Sequence, residues 1–194
     1  MATMFVVAET DRLLLRRFVP GDAPGLLALD SDARVRRFVE DGDPVDLRGA
    51  YSSIARWTAG YEQSDLFGFW AAIENATGGF LGWFHLMAWD DDHPEQPELG
   101  YRLAASAWGQ GYATEGARAV IDHAFGSPDI VRVVAESMAI HTASRRVMEK
   151  SGMRHVRSFQ AEWPVIIPGD EFGDVRYAIS RQEWEAGRSG SISS

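Results

Sequence analysis

Apolar residues recur at helical spacing through most of the first third of the chain, after one short stretch that alternates. Residues 12–18 alternate as a strand does, and Pro20-Gly21-Asp22 then ends the pattern and supplies an aspartate that can cap a helix. Apolar positions spaced for a helix follow at residues 23–30, 35–39 and 47–61. We therefore expect one opening strand followed by a helix-rich region.

The centre of the chain is dense in aromatic and β-branched residues, which favour strands. Residues 67–73 and 80–89 have this composition, and turn residues at 75–79 separate them, so they predict a hairpin. Both alternating sets of residues 80–89 are largely apolar, and this strand is expected to be covered on both faces. The acidic, proline-containing loop at 90–97, whose tip should face water, then leads to a third strand at 98–104.

The second half of the chain predicts helices that alternate with short strands. A helix with one apolar stripe follows residues 105–111, and another at about 142–150 ends before Gly152, which suits a left-handed cap. Short strands are expected at 131–135, 153–162 and 175–180. Because the Gly/Ser-rich residues 187–194 are typical of a flexible tail and no linker divides the rest, we expect one α/β (α+β) domain over residues 1–186.

The composition is that of a globular protein: 45% of the 194 residues are hydrophobic and 24% are charged. The absence of cysteine excludes disulfides, thiolate metal sites and a cysteine nucleophile. A net charge of −9 repels a phosphate backbone, and no apolar run reaches about 18 residues, so neither a nucleic-acid nor a membrane partner is expected. We expect a cytoplasmic protein without a metal. Its acidic clusters, at 41–43, 90–98 and 170–174, are typical of solvated loops and would also attract cationic amines.

The glycine loop (residues 108–111) stands between a predicted strand and an amphipathic helix. The first N–H groups of a helix have no partner within it and carry the positive end of the helix dipole, so such a start binds pyrophosphate well. Gly109 and Gly111 would let the backbone approach an anion closely. The chain has no P-loop sequence. A dinucleotide fingerprint fits poorly, because Thr114 stands at its third glycine position, although Glu136 lies about where a ribose-binding acid would.

Two segments in order give the loop a more specific interpretation. The run Trp108-Gly109-Gln110-Gly111-Tyr112-Ala113-Thr114-Glu115 resembles the coenzyme A pyrophosphate loop of the GNAT superfamily, in the form of its ribosomal-protein N-terminal acetyltransferase (RimJ/RimL-like) branch. Residues 141–153 resemble the second coenzyme segment of that branch. The opening residues 9–16 and the closing residues 173–180 are similar to it as well, so the resemblance covers about residues 9–185.

The resemblance implies a GNAT-like fold, with a mixed central sheet flanked by helices, and acetyl-coenzyme A as cosubstrate. The residues that it assigns to the coenzyme are Leu103, Trp108, Gly109, Gln110, Gly111, Tyr112, Ala113, Thr114, His141, Ser144 and Arg145. Three of these depart from the general pattern. Trp108 stands in place of Gln or Arg, Gln110 in place of a frequent Lys or Arg, and His141 in place of the usual Asn. A histidine there can titrate near neutral pH, which an asparagine cannot.

The resemblance also implies direct attack of an amine on the acetyl thioester, which requires a base and a group that stabilises the leaving thiolate. Glu98 is the first candidate base because it begins the strand expected beside the thioester, although it could instead be a rim acid that pairs with Arg102 or is left in solvent. His85 is the second, although a lone histidine on an apolar face is usually a core residue. Ser144 is the candidate donor to the thiolate and could instead cap its helix. Tyr101 and Tyr177 are possible substitutes.

The sequence leaves the acceptor open. A protein N-terminus, a polyamine, an amino acid and an aminoglycoside all satisfy the requirement for an amine. The main alternative to an enzyme is a non-catalytic module that keeps the fold and senses coenzyme A, which His141 and Gln110 favour. The oligomeric state is not predicted.

Overall fold

A mixed sheet passes through the protein and carries helices on both faces. The computed structural model describes residues 5–38, 46–88, 93–161 and 168–190. Eight strands are found in these ranges, in the order β1-β2-β3-β4-β5-β6-β8-β7. They are β1 Val6–Glu9, β2 Leu13–Arg17, β3 Gly68–Glu74, β4 Phe80–Met87, β5 Glu98–Leu103, β6 Arg132–Met138, β7 Arg154–Phe159 and β8 Asp174–Ser180. All neighbours are antiparallel except β5 and β6, which are parallel. The expected fold class and mixed sheet are confirmed.

Six α-helices lie in the same described ranges and divide between the two faces of the sheet. They are α1 Ala23–Ser31, α2 Ala33–Arg36, α3 Leu47–Ala59, α4 Tyr112–Gly126, α5 Thr142–Lys150 and α6 Arg181–Gly190. One core cluster includes Phe84 and the apolar stripe of α4, and the other includes Trp83 and buried residues of α1 and α3. The alternation of β4 therefore buries both of its faces, as its sequence predicts.

A glycine allows the close packing of α4 on the sheet. A Cβ atom at Gly116 would lie 2.2 Å from Cζ of Phe84, a distance that no side chain could accept. Gly116 therefore sets how near α4, and the glycine loop before it, lies to the central strands.

Several predicted elements are confirmed and a few are wrong. The hairpin is β3 and β4, and the helix at 142–150 is α5. Strand β1 was not predicted. Residues 187–190, which the composition placed in a tail, belong to helix α6. Some predicted positions lie outside the described residues. They are the segment ends at 39, 89 and 162, the loop residues 90–92 and the tail residues 191–194.

No helix in the described ranges is both long enough and apolar enough to cross a membrane. The cytoplasmic location stays a prediction.

Candidate active site

The two parallel strands at the centre of the sheet touch at their starts and then part. Among the described residues of β5 and β6, one pair lies in register, Glu98 opposite Val134. Beside it, Val134 N donates to Pro97 O at 2.9 Å. Each of the two strands has several residues beyond that point. A gap therefore opens between the carboxyl-terminal halves of β5 and β6, and helices α4 and α5 begin beyond it.

The glycine loop connects the end of β5 to α4 by a backbone that glycine favours. Gly109 has φ +73° and Gly111 has φ +87°, both in the left-handed region. Gly111 is the N-cap of α4, so the exposed start of this helix offers N–H groups without helical partners. Trp108 is 49% exposed, and its indole Nε1 donates to Leu103 O at 2.8 Å, which ties the loop to β5. This end of α4 can bind an anion through backbone groups.

The side chains around the loop turn away from it. The Tyr112 ring is buried and its hydroxyl donates to Glu74. Leu103 is buried at the end of β5, and Gln110 Nε2 donates to Ser106 O at 2.6 Å. Ala113 and Thr114 are half-buried in the first turn of α4. The loop therefore presents backbone to a ligand, and the departure at Gln110 removes a cation without removing these N–H groups.

His141 begins α5 as its N-cap and lies against an aromatic ring from the first third of the chain. Its imidazole stacks on Phe38, with ring centroids 4.1 Å apart. Burial lowers the pKa of His141 to about 4, and the charge of nearby Arg37 acts in the same direction. The expectation that His141 titrates near neutral pH is therefore wrong, and the ring is neutral there.

Arg145 in α5 is engaged by its own surroundings. Its Nη1 donates to Ala139 O at 3.1 Å and its Nε donates to the Tyr177 hydroxyl at 3.3 Å. The Tyr177 hydroxyl in turn donates to Glu149 at 2.8 Å. These contacts hold α5 on the sheet, and the predicted contact between Arg145 and the coenzyme stays a prediction.

Tyr101 and Ser144 meet across the end of the gap. The two hydroxyl oxygens are 3.0 Å apart, and Tyr101 also donates to the Ser144 carbonyl at 3.1 Å. Burial raises the pKa of Tyr101 to about 12, so its phenol keeps its proton at neutral pH. The capping role considered for Ser144 is wrong, because His141 holds the N-cap position and Ser144 lies inside the first turn. The Tyr101 and Ser144 hydroxyl groups can therefore donate hydrogen bonds to a group at the end of the gap.

Glu98 lies on the opposite face of β5 from Tyr101, and the structure does not bring it into contact with Ser144. Burial raises the pKa of Glu98 to about 7, the negative charge of Glu136 adds to the rise, and Arg176 opposes it. Among the described residues, the Glu98 carboxylate accepts no hydrogen bond. Its suggested pairing with Arg102 is wrong, because Arg102 pairs with an aspartate of α1, Asp30, at 2.8 Å. A carboxylate with this pKa is suited to accept a proton near neutral pH.

Glu136 itself is occupied by an ion pair. Its Oε1 lies 2.5 Å from Arg176 Nε of β8. This ion pair argues against a dinucleotide site, because the ribose-binding role would need a free carboxylate. The sheet argues against it as well, since it is mixed and mostly antiparallel, whereas the dinucleotide-binding fold has a parallel sheet.

His85 shares the face of Glu98 but differs from it in charge state. In the register of β4 and β5 it lies opposite Gly100, and a Cβ atom there would be 2.4 Å from its Nε2. Burial lowers the pKa of His85 to about 4, and Arg102 contributes. Neither ring nitrogen has a hydrogen-bond partner in the described part of the chain. His85 is thus a neutral core residue between Phe69 and Trp83, which weakens its candidacy as the base.

Sequence reasoning missed two contributions to the site. Phe38 belongs to the helix-rich region that matched no motif, and no local signal links it to His141. The turn at Thr10–Arg12 approaches the glycine loop, about 100 residues later in the chain. The similarity of residues 9–16 to one enzyme branch was a signal for this turn, although it did not indicate what the turn contacts.

Comparison with known proteins gives a consistent result. The family model for the acetyltransferase (GNAT) domain matches residues 12–154. A curated protein of Aspergillus fumigatus, FsC-acetyl coenzyme A-N(2)-transacetylase, is 36% identical over 165 residues, covering 81% of this chain and 69% of that protein.

Solved structures share the fold at lower identity. A GNAT-family acetyltransferase from Bacillus anthracis superposes with a TM-score of 0.75 at 24% identity, covering 92% of this chain and 99% of that one. RimL, the ribosomal L7/L12 alpha-N-protein acetyltransferase in complex with coenzyme A, gives a TM-score of 0.77 at 19% identity, covering 90% and 97%.

Proposed function

This chain belongs to the GNAT acetyltransferase family, and on that premise we propose that it transfers the acetyl group of acetyl-coenzyme A to a primary amine by direct attack. The observation that carries the proposal is the gap between β5 and β6, which leads to a glycine loop at the start of α4. We assign the thioester arm to this gap and the pyrophosphate to the exposed backbone N–H groups.

The residues present fit the cosubstrate. Gly109 and Gly111 carry no side chain that would block an anion, and a Cβ at Gly109 would meet nothing within 4 Å. The hydrogen bond from Trp108 to Leu103, the last residue of β5, fixes the loop relative to that strand. When bound, acetyl-coenzyme A supplies an activated acetyl group, and the protein has to orient it, accept a proton from the amine and stabilise the leaving sulfur.

Glu98 is the proposed base. With a pKa of about 7 it is roughly half ionised at pH 7, so it can accept a proton from an ammonium group. An α-amine has a pKa of about 7.7–8.0, close to that of Glu98, whereas a lysine side chain at about 10.4 holds its proton far more tightly. The match favours an acceptor amine of low basicity.

Ser144 and Tyr101 are the proposed donors to the leaving group. The Ser144 hydroxyl can donate to the departing sulfur when the Tyr101 phenol turns its single proton from the Ser144 carbonyl to Ser144 Oγ, which is 3.0 Å away. Tyr101 keeps its proton across the working pH range because its pKa is raised, so its phenol remains available as a donor. The two neutral hydroxyl groups would stabilise the negative charge that develops on the leaving sulfur, without a positively charged side chain.

The acceptor is proposed to be a small-molecule amine rather than a protein N-terminus. The Aspergillus relative, at 36% identity, is named as an N(2)-transacetylase, whereas RimL, named as a ribosomal alpha-N-protein acetyltransferase, is 19% identical. The acidic composition, with a net charge of −9, would attract any cationic amine to the site.

A panel of amines tests the proposal. The panel contains amino acids, polyamines, an aminoglycoside and peptides with a free N-terminus, and free coenzyme A is measured as the product. We expect release with at least one small amine and little with the peptides. Release with the peptides alone would overturn the choice of acceptor. Tight binding of acetyl-coenzyme A without turnover on any amine would identify a coenzyme-sensing module instead of an enzyme.

A further inference from the structure

The turn between β1 and β2 contacts the first turn of α4 through a carboxylate. Glu115 accepts hydrogen bonds from Thr10 Oγ1 at 2.6 Å, from Arg12 N at 3.0 Å and from Arg12 Nε at 2.7 Å. Thr10 N also donates to Leu13 O at 2.8 Å, which closes the turn. Arg12 is thus fixed at its backbone and at its side chain.

The far end of the Arg12 side chain reaches the glycine loop. Nη1 donates to the Gln110 carbonyl at 2.9 Å, and Cζ lies 4.5 Å from the centroid of the Tyr112 ring. One planar guanidinium therefore connects the Glu115 carboxylate to the loop carbonyl while it rests on an aromatic face.

This contact fixes more than the carbonyl. The C=O of Gln110 and the N–H of Gly111 belong to one planar peptide group, and the described peptide bonds are all trans. In a trans peptide these two groups point in opposite directions. Holding the Gln110 oxygen towards Arg12 therefore directs the Gly111 N–H to the opposite side of the loop.

The loop needs such a constraint because of its composition. Gly109 and Gly111 flank Gln110, and glycine populates several backbone regions at similar energy. Both glycines are exposed, a Cβ at Gly109 would meet nothing within 4 Å, and one at Gly111 would meet only Arg12 Nη2, at 3.3 Å, so packing apart from Arg12 does not restrict the backbone of the two glycines. Without the bond from Arg12, the peptide between residues 110 and 111 could rotate and turn its N–H away from a ligand.

We propose that Arg12 is a positioning residue for coenzyme binding, which holds the peptide between Gln110 and Gly111 so that its N–H faces the pyrophosphate of acetyl-coenzyme A. The inference rests on the proposed function. The proposal assigns Arg12 a positioning role rather than a phosphate contact, because its charge is paired with Glu115 at 2.5 Å and its Nε and Nη1 donate to Glu115 and to the Gln110 carbonyl.

Substitution of Arg12 gives the direct test. Arg12→Ala should raise the dissociation constant of acetyl-coenzyme A by about tenfold, the size expected when one hydrogen-bonded group stops contributing. The KM for acetyl-coenzyme A should rise by the same factor, while kcat at saturating coenzyme and the KM for the amine stay unchanged. Acetyl-pantetheine, which lacks the pyrophosphate, should serve the variant and the wild type equally well. A general loss of structure would affect both thioesters.

Arg118→Ala is the matched control. Arg118 lines the same open groove of about 800 Å³ as Arg12 and Gly111, and its guanidinium donates to Lys150 O. Its removal takes away the same charge from the same surface without touching the loop, so coenzyme affinity should stay within about twofold of the wild type. An equal loss in both variants would show that only the positive charge matters and would overturn the proposal.

The Glu115→Ala background separates positioning from direct contact with phosphate, because the two roles predict opposite changes in the effect of Arg12→Ala. If Glu115 holds Arg12 in its positioning role, Arg12→Ala costs less affinity in the Glu115→Ala background than in the wild type. If Arg12 binds phosphate directly, freeing it from Glu115 makes Arg12→Ala cost more affinity in that background, which would overturn the inference. Failure of the wild type to bind acetyl-coenzyme A would refute the proposed function itself, whereas normal binding by Arg12→Ala refutes only this inference.

Discussion

The raised pKa of Glu98 predicts that its charge destabilises the folded protein. Its rise from an ordinary 4.5 to about 7, at about 1.36 kcal/mol for each pH unit, corresponds to about 3 kcal/mol. The folded state binds this proton more tightly than the unfolded chain does. The contribution of Glu98 to the free energy of unfolding therefore falls as pH rises from 4.5 to 7, and the decrease is complete above pH 7.

Glu98→Gln removes the charge and keeps the shape. The variant should be as stable as the wild type at pH 4, where Glu98 is protonated in both states, and about 3 kcal/mol more stable at pH 8. Urea denaturation at pH 4, 6 and 8 measures this difference, since the other titrating groups are common to both proteins. Glu62→Gln, at an exposed position, is the matched control for the substitution itself.

The same substitution should lower activity. Loss of a general base typically costs about 10²–10⁴-fold, and the deficit should shrink above pH 8 because an α-amine then loses its proton unaided. Equal stability of variant and wild type at pH 8, or a deficit in kcat/KM that does not depend on pH, would refute the reasoning. The first result would show that Glu98 is hydrated, and the second that it is not the base.

Two further substitutions test the glycine loop and the proposed donor. Gly111→Asp places a negative charge where the pyrophosphate should bind and should weaken coenzyme affinity by about a hundredfold, as measured by calorimetry. Gly78→Asp, at another exposed glycine with positive φ, controls for backbone strain and should leave affinity unchanged, and similar affinities in the two would remove Gly111 from the site. Ser144→Ala should lower kcat and kcat/KM together by about tenfold or more with little change in KM or melting temperature. Thr142→Ala, at the exposed first residue of α5, is its control, and unchanged kcat in Ser144→Ala would exclude the donor role.

Local patterns in the sequence were sufficient for much of the fold. Helix α5 was predicted with its observed bounds, and the hairpin of β3 and β4 followed from two apolar stretches around a glycine turn. The glycine loop was also readable, because its chemistry depends on consecutive residues: two glycines directly before an amphipathic helix. In each case the determining interactions lie within a few residues of chain.

The C-terminal helix shows where composition fails. Glycine and serine around residue 187 predicted a tail, but Trp184 packs against Phe125 at a ring distance of 5.1 Å, and Arg181 donates to the carbonyl of Phe125 at 3.0 Å. These contacts to the end of α4 stabilise α6 against its weak intrinsic propensity, which no local pattern records.

The chemistry of the candidate site was decided by the tertiary structure. The sequence supplied Glu98, His141 and Ser144 as candidates, but whether each is charged depends on burial and on charges brought close by folding. Glu98 gains its raised pKa from burial beside Glu136, and His141 loses its titration near neutral pH by packing under Phe38. Because desolvation and Coulomb interactions act through space between residues far apart in the chain, the sequence could name the reacting groups while only the folded structure set their protonation.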